Sequence, residues 1–172
     1  MSASGSEAAA ARERAEASPR LVAVPGGGGR RPGPDQARVV VVFLGIADDV
    51  RARVAAALLA HRSKGRVRAV PASPLAVGPD PAVTAALAEL GVDLGLVATE
   101  PPSAALLDGA ELVVVMGYDP HDPAAGRPTE DWCIDDPRGK DADAVRCIRD
   151  AIDRRVQRLL IRMGVALPTR PC

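Results

Sequence analysis

The strongest constraint on the fold is an uninterrupted apolar run at residues 39–44, VVVVFL. Such a run is typical of a central parallel strand, which is buried on both faces. A short loop follows, and an alanine- and leucine-rich helix is predicted at residues 51–62. The ordered part of the chain therefore opens with a strand, a loop and a helix, which is the first unit of an α/β fold.

The same alternation of strand and helix continues and predicts a parallel sheet with helices on both faces. Further strands are predicted at residues 66–70, 111–116 and, briefly, 132–134, and further helices at 81–90, 103–107 and 141–164. Asp80 is expected to cap the helix at 81–90, with Pro81 in its first position and Gly91 after its end. One apolar stripe marks the buried face of the last helix and leaves Cys147 on the opposite side. The stripe consists of Val145, Ile148, Ile152, Val156, Leu159, Leu160 and Met163.

The composition limits the organisation and the partners of the chain. Its 172 residues, 47% of them hydrophobic, suffice for one domain with a core. We expect a disordered extension at residues 1–37, either a docking tail or a dispensable leader, then a domain at 38–164 and a short tail at 165–172. A formal net charge of zero offers no field for nucleic acid or anionic lipid. No apolar stretch approaches the roughly 20 residues that span a bilayer.

The cysteines and histidines predict neither a metal site nor a disulfide framework. Three cysteines without Cys-x-x-Cys spacing favour a reducing cytoplasm. His61 and His121 also lack the spacing of metal ligands. We therefore expect no cofactor, no metal, no nucleic acid and no membrane among the partners, and the sequence leaves the oligomeric state open.

The loop at residues 45–51 has the frame of a phosphate-binding catalytic loop of the type Cys-x5-Arg, but Gly45 stands at the position of the cysteine. A thiolate in such a loop is the nucleophile, and backbone N–H groups and the helix N-terminus lower its pKa. Glycine has no side chain and cannot form a covalent intermediate. The sequence thus preserves the setting of a reaction without the group that starts it.

Three separated stretches resemble the low-molecular-weight protein tyrosine phosphatases and, within that family, the thiol-linked arsenate reductases of actinobacterial type. They are the strand and loop ending at Arg51, the residues GVDL at 91–94, and the block EDWCIDDPRGK at 130–140 with the residues IRDAI that follow at 148–152. The resemblance covers roughly residues 38–163. It implies a three-layer, doubly wound α/β fold whose four-stranded parallel sheet has the order 2-1-3-4, with about five helices.

The resemblance also implies roles for residues of this chain. A cysteine at position 45 would attack phosphorus or arsenic, Arg51 would bind the oxyanion, and Asp136 would protonate the leaving group. This chain keeps Arg51 and Asp136, so the site at Gly45, Arg51 and Asp136 is expected to be vestigial. Asp136 is either a remnant of the acid or a simple loop residue. Cys133 does not follow a strand into a ring of amides, which argues against a substitute nucleophile.

The remaining loop residues are expected to bind an anion weakly or not at all. The predicted ligand-contacting residues are Ile46, Ala47, Asp48, Asp49, Val50 and Arg51. A carboxylate about 4 Å from an anion repels it by roughly 1 to 4 kcal/mol, depending on the effective dielectric constant. Val50 stands where the family has glycine, and a β-branched residue tolerates positive φ poorly. Arg51 either still recognises an anion or forms an ion pair with Asp48 or Asp49 that plugs the pocket, and we favour the plug.

The leading hypothesis is a catalytically inactive member of this family that serves as a regulatory or protein-interaction module. Its partner would contact the former active-site face, which comprises residues 45–51 and 118–130 together with Asp136. A first alternative is an enzyme that uses Asp48, Asp49 and Asp136 as general acid and base on an unknown small substrate. A second is an active phosphotyrosine phosphatase or arsenate reductase, as the family implies.

Overall fold

The computed structural model describes residues 39–78, 80–117 and 126–167. The strands are β1 (Val40–Gly45), β2 (Arg68–Ala72), β3 (Leu112–Met116) and β4 (Thr129–Asp131). The α-helices are α1 (Val50–Ser63), α2 (Pro81–Ala88), α3 (Ala104–Asp108) and α4 (Ala142–Arg162), and a 3₁₀ turn spans Leu94–Leu96. The predicted extension at 1–37, part of the predicted tail, and residues 118–125 of the predicted partner face lie outside the described residues.

The four strands form one parallel sheet in the order β2-β1-β3-β4. β1 is interior and pairs on one side with β2 and on the other with β3, so that Phe43 lies opposite both Pro71 and Val114. β4 completes the sheet by pairing with β3. This is the strand order that the resemblance implied, and the predicted fold class is confirmed.

The side chains of β1 pack alternately in two separate hydrophobic cores, one on each face of the sheet. Val41 and Phe43 pack in the larger core with residues of α1, α2 and α4, whereas Val42 and Leu44 pack in a smaller one with Leu107 of α3. Successive side chains of a strand point to opposite faces, so the uninterrupted apolar run supplies both. Helices consequently cover both faces of the sheet, as in a doubly wound fold.

Local sequence signals predicted the helices well. Asp80 accepts hydrogen bonds from the amides of Ala82 and Val83, with Pro81 in the first turn of α2, as expected. Asp141 caps α4 by accepting from Ala144 N at 2.8 Å. The whole apolar stripe of the last helix is buried, whereas Cys147 is exposed. Within the described ranges no helix is both long enough and apolar enough to cross a membrane.

Two strands lie at other residues than predicted. The fourth strand was expected at residues 132–134 but is formed by Thr129–Asp131, because Trp132 turns into the core and meets Phe43 edge to face with ring centroids 5.6 Å apart. β2 begins at Arg68, two residues later than predicted, because α1 continues to Ser63 and a turn follows it. After α4, Val165 is also buried, and its amide donates to Leu160 O at 2.9 Å.

Candidate functional site

The loop after β1 lies at the carboxyl end of the parallel sheet, where open α/β sheets bind their ligands. Gly45 is the last residue of β1 and pairs with Met116 of β3. The structure places the six predicted ligand-contacting residues differently from one another: Ala47 is exposed, Ile46 and Arg51 are half-buried, and Asp48, Asp49 and Val50 are buried. Most of the loop therefore faces the protein and offers little surface to a ligand.

Position 45 has no room for a side chain. A Cβ added to Gly45 would lie 2.0 Å from the carbonyl oxygen of Asp48 and 3.4 Å from Cα of Asp49. The first distance is far below van der Waals contact, and the obstacle is backbone. The Asp48 carbonyl thus occupies the space in which a nucleophilic side chain would begin. It presents a hydrogen-bond acceptor, a group that an oxyanion cannot pair with.

The Asp48 carboxylate is satisfied from within the protein. Its Oδ1 accepts from the amide of Val50 at 2.9 Å, at the first residue of α1. Its Oδ2 lies 2.8 Å from Nη2 of Arg138, in an ion pair that lacks hydrogen-bond alignment. The N-terminus of a helix favours negative charge. An internal carboxylate with 1% exposure therefore takes the place at α1 that an anionic ligand would need.

The Asp49 carboxylate joins two further segments to the loop. Its Oδ1 accepts from the amide of Val77 at 2.9 Å, and its Oδ2 accepts a short hydrogen bond from the hydroxyl of Thr99. Nε of Arg53, one turn along α1, lies 3.9 Å from the same Oδ2. Asp49 is 1% exposed, so these contacts replace water around a buried charge.

Arg51 does not form the predicted ion pair with Asp48 or Asp49. Its Nη1 donates to the carbonyl oxygen of Ile134 at 2.7 Å, while its buried Nε has no hydrogen-bond partner among the described residues. Its guanidinium also passes Gly117, where a Cβ would lie 3.4 Å from Nη2 and the backbone has φ +124°. The predicted ion pair between Arg51 and Asp48 or Asp49 was therefore wrong. The ion pair with Asp48 is formed by Arg138 instead.

Val50 does not adopt the strained backbone that its place in the family pattern suggested. Lys64, with φ 52°, is the only non-glycine residue with positive φ in the described ranges. Val50 instead begins α1 and is buried in the larger core. The expected strain at Val50 was wrong, because Val50 has helical backbone as the first residue of α1.

Asp136 is held as a carboxylate by Arg138. The Arg138 side chain donates to both carboxylate oxygens, with Nη2 to Oδ2 at 2.6 Å, and the Arg138 amide donates to Oδ1 at 2.9 Å. These hydrogen bonds, foremost those from the guanidinium, lower the pKa of Asp136 despite partial burial, and the charge of Arg51 contributes to the shift. The pairing therefore favours the ionised form of Asp136, which has no proton to donate.

Arg138 is the residue of the site that sequence reasoning missed. Its Nη2 contacts both Asp48 and Asp136 and so connects the loop after β1 with the segment before α4. The available signal was the order Asp136-Pro137-Arg138-Gly139, in which an arginine two residues after an aspartate can fold back on it. The contact to Asp48 spans ninety positions and left no local signal.

The other reactive residues do not complete a site. Cys133 is exposed, and its carbonyl oxygen accepts from Nη2 of Arg155 at 3.4 Å. No group of three or more His, Cys, Asp and Glu residues in the described part of the chain could hold a metal ion. His121 lies outside that part.

The sequence matches no protein-family model and no curated protein. Several solved structures are nevertheless similar. An arsenate reductase in its phosphate-binding state superposes with a TM-score of 0.65 at 19% identity, over 73% of this chain and 98% of the other. An arsenate reductase from Archaeoglobus fulgidus DSM 4304 has a TM-score of 0.57 at 26% identity, over 70% and 98%. A low-molecular-weight protein tyrosine phosphatase from T. tengcongensis has a TM-score of 0.61 at 17% identity, over 72% and 98%.

The class follows from the sheet order and from these neighbours. The chain has the fold of the low-molecular-weight protein tyrosine phosphatases and arsenate reductases. Within that fold, its first loop carries Gly45 and an internal carboxylate at the carboxyl edge of β1.

Proposed function

We propose that this chain is a catalytically inactive relative of the phosphatases and arsenate reductases and that it acts as a regulatory or protein-interaction module. The observation that carries the proposal is at position 45, where the side chain is absent and the Asp48 carbonyl oxygen would lie 2.0 Å from any Cβ. A covalent reaction at phosphorus or arsenic has no nucleophile there. In other enzymes with covalent intermediates, loss of the nucleophile lowers turnover on the order of a million-fold.

The other two parts of the family's chemistry are also compromised. The negative carboxylate of Asp48 lies at the N-terminus of α1, so a second anion at the same place would meet a like charge. Asp136 is paired with Arg138, which lowers its pKa and favours the ionised form, whereas donation to a leaving group needs the protonated form. Each of these three features alone would slow the family's reaction, and all three occur together.

The alternative that uses the carboxylates as general acid and base is less well supported. Asp48 and Asp49 are each 1% exposed, and Asp49 already accepts from Val77 and Thr99. A general base must reach the proton that it removes. The carboxylates of Asp48 and Asp49 already accept hydrogen bonds or form ion pairs within the protein, so they are poorly placed to contact a small substrate.

Exposed apolar residues support a protein partner at the former active-site face. Leu75 is 55% exposed and Leu96 is 84% exposed. Both lie close in sequence to the groups that Asp49 binds, Val77 and Thr99, so one buried carboxylate anchors both segments beside the loop. Apolar side chains contribute to a contact surface when they lie together, so we infer that Leu75 and Leu96 belong to one patch beside the loop.

Activity assays test the inactive assignment. We expect the full chain to hydrolyse no p-nitrophenyl phosphate and to reduce no arsenate with a thiol system, and we expect Gly45→Cys to remain inactive. Cys133→Ser is the control for a substitute nucleophile. Turnover by the unaltered chain that Cys133→Ser abolishes would overturn the proposal.

Binding experiments test the partner face. The double variant Leu75→Ser, Leu96→Ser should lose a partner that the unaltered chain captures from extracts of its source cells. Ile161→Ser is the matched control, because Ile161 is 63% exposed on α4 and belongs to another surface. Equal loss in the control, or unchanged capture by the double variant, would contradict this location. The exposed thiols of Cys133 and Cys147 suit a reducing cytoplasm, where we place the protein.

A further inference from the structure

A second concave site shares no lining residue with the loop after β1. A cleft of about 390 Å³ is lined by Glu130, Trp132, Arg155, Arg158 and Arg162. Glu130 comes from β4, the three arginines come from α4, and Trp132 forms part of the wall. Clefts of roughly 300 to 1,000 Å³ are the usual size for small-molecule ligands. We call it the arginine cleft.

The arginines of the cleft are spaced to share one face of α4. Positions 155, 158 and 162 follow at intervals of three and four residues, which places them along one side of a helix. Three like charges there are unfavourable unless other groups neutralise them. Stabilisation of the helix C-terminus explains Arg162 alone, since that effect is limited to the last turn and Arg155 lies about two turns earlier.

Internal contacts neutralise only part of this charge. Nη2 of Arg162 forms an ion pair with Oε1 of Glu130 at 2.6 Å. Arg155 lies over the ring of Trp132, 6.0 Å from its centroid, and donates one hydrogen bond, to the carbonyl of Cys133. Arg158 is exposed and pairs with none of the described residues. Three arginines against one glutamate leave a net charge of +2 in the cleft of a chain whose formal net charge is zero.

We propose that the arginine cleft binds a small polyanion, a compact molecule with two or more phosphoryl or carboxylate groups. Guanidinium groups offer planar forks of N–H donors that match both oxyanions. Arg158 supplies the unpaired fork, and Arg155 keeps N–H groups that its single hydrogen bond does not use. A concave wall on β4 and at Trp132 favours a compact ligand over an extended peptide, which would need a longer surface.

Trp132 provides a direct readout because it is the only tryptophan of the chain. Its Nε1 donates to Oε2 of Glu130 at 3.0 Å, so the indole N–H resonance and the fluorescence both report on the cleft. The experiment titrates the full chain at low ionic strength with pyrophosphate and, separately, with citrate. We expect a saturable change in the indole signal for at least one of them, weakened by added sodium chloride because salt screens the charges.

Two variants make the result specific. Arg158→Ala should weaken binding by roughly tenfold or more, because it removes the unpaired charged donor. Arg154→Ala is the matched control: Arg154 is an exposed arginine one turn before Arg158 that does not line the cleft, so its removal should weaken binding far less than Arg158→Ala does. Equal urea midpoints for both variants and the unaltered chain would show that folding is not the cause.

Three results would overturn the proposal. They are no saturable indole change with either probe, equal weakening by Arg154→Ala and Arg158→Ala, and a response to an oligoglutamate peptide but to neither small anion. The last would indicate a docking surface for acidic peptides. Phosphatase and arsenate assays do not enter this test, so its outcome is independent of the function proposed above.

Discussion

Arg138 and Asp48 form an ion pair of 2.8 Å between a half-exposed guanidinium and a carboxylate that is 1% exposed. The same Nη2 atom lies 2.6 Å from Oδ2 of Asp136. One arginine therefore joins the loop after β1 to Asp136 in the segment before α4. A buried carboxylate needs such a partner, since leaving its charge unpaired is costly.

Removing this arginine should destabilise the fold. We expect Arg138→Ala to lower the free energy of unfolding by about 1 to 3 kcal/mol, below the full cost of breaking a buried pair because Arg138 is half-exposed. Urea unfolding measures the change, and Lys140→Ala, an exposed cation two residues away, should be close to neutral. In a double-mutant cycle with Asp48→Asn the two costs should be less than additive. Strict additivity would mean that the pair does not interact.

Any side chain at position 45 should be costly. We expect Gly45→Ala to lower the free energy of unfolding by about 1 to 3 kcal/mol, because its Cβ meets the Asp48 carbonyl and the loop must shift. Gly78→Ala is the control, since a Cβ there meets nothing within 4 Å and its φ is not positive. Unfolding in urea compares the two. If both variants are equally stable, the backbone at Asp48 can shift without cost and the prediction is wrong.

Lowering the pH should reduce the contribution of Glu89 to the free energy of unfolding. Hydrogen bonds from Arg146, and next from Arg149, lower the pKa of Glu89 from 4.5 to about 2. A carboxyl whose pKa is lower in the folded state stabilises the protein above its unfolded pKa and loses that effect as the pH falls through the folded value. The difference in unfolding free energy between the unaltered chain and Glu89→Gln should therefore be largest at neutral pH. It should shrink between about pH 4.5 and pH 2.

Urea unfolding at several pH values checks this dependence. Glu111→Gln, at an exposed position just before β3, is the control for a general effect of one removed charge. A difference for Glu89→Gln that stays constant down to pH 2 would contradict the proposed linkage.

The hydrogen bond from Thr99 to Asp49 should stabilise the segment around Val77, because the same carboxylate accepts from the Val77 amide. Thr99→Val leaves one oxygen of a buried carboxylate without its donor, which should cost about 1 to 3 kcal/mol. Hydrogen exchange should become faster at the Val77 amide, which donates to the other oxygen. Thr84→Val is the comparison, because the Thr84 hydroxyl bonds only the Asp80 carbonyl one turn earlier. If Thr99→Val leaves the exchange rate of the Val77 amide unchanged, the hydrogen bond from Val77 to Asp49 does not depend on the one from Thr99, and the prediction is wrong.

The features that the sequence predicted correctly depend on neighbouring residues. The cap at Asp80 and the apolar stripe of α4 arise within one or two helical turns, so spacing alone reveals them. The strand order was available only through the family resemblance, because periodicity does not tell which strands pair.

The features that were missed depend on contacts between distant residues. Arg51 donates to the carbonyl oxygen of Ile134, 83 positions away in sequence. That it binds this carbonyl and neither Asp48 nor Asp49 depends on how the segment after β4 packs. The start of β4 was misplaced because the apolar side chain of Trp132, a strand signal in sequence, belongs to the core beneath the sheet. Arg138 was overlooked for the same reason, since its contact to Asp48 exists only in the folded chain.

The carbonyl of Asp48 also has an evolutionary consequence. One nucleotide substitution can turn a glycine codon into a cysteine codon, but the resulting side chain would collide with main-chain atoms. A working thiolate at position 45 would demand a rebuilt loop together with changes at Asp48 and Arg138. Selection acting on single mutations finds no gradual route through such a set, so the inactive state proposed above would be hard to reverse.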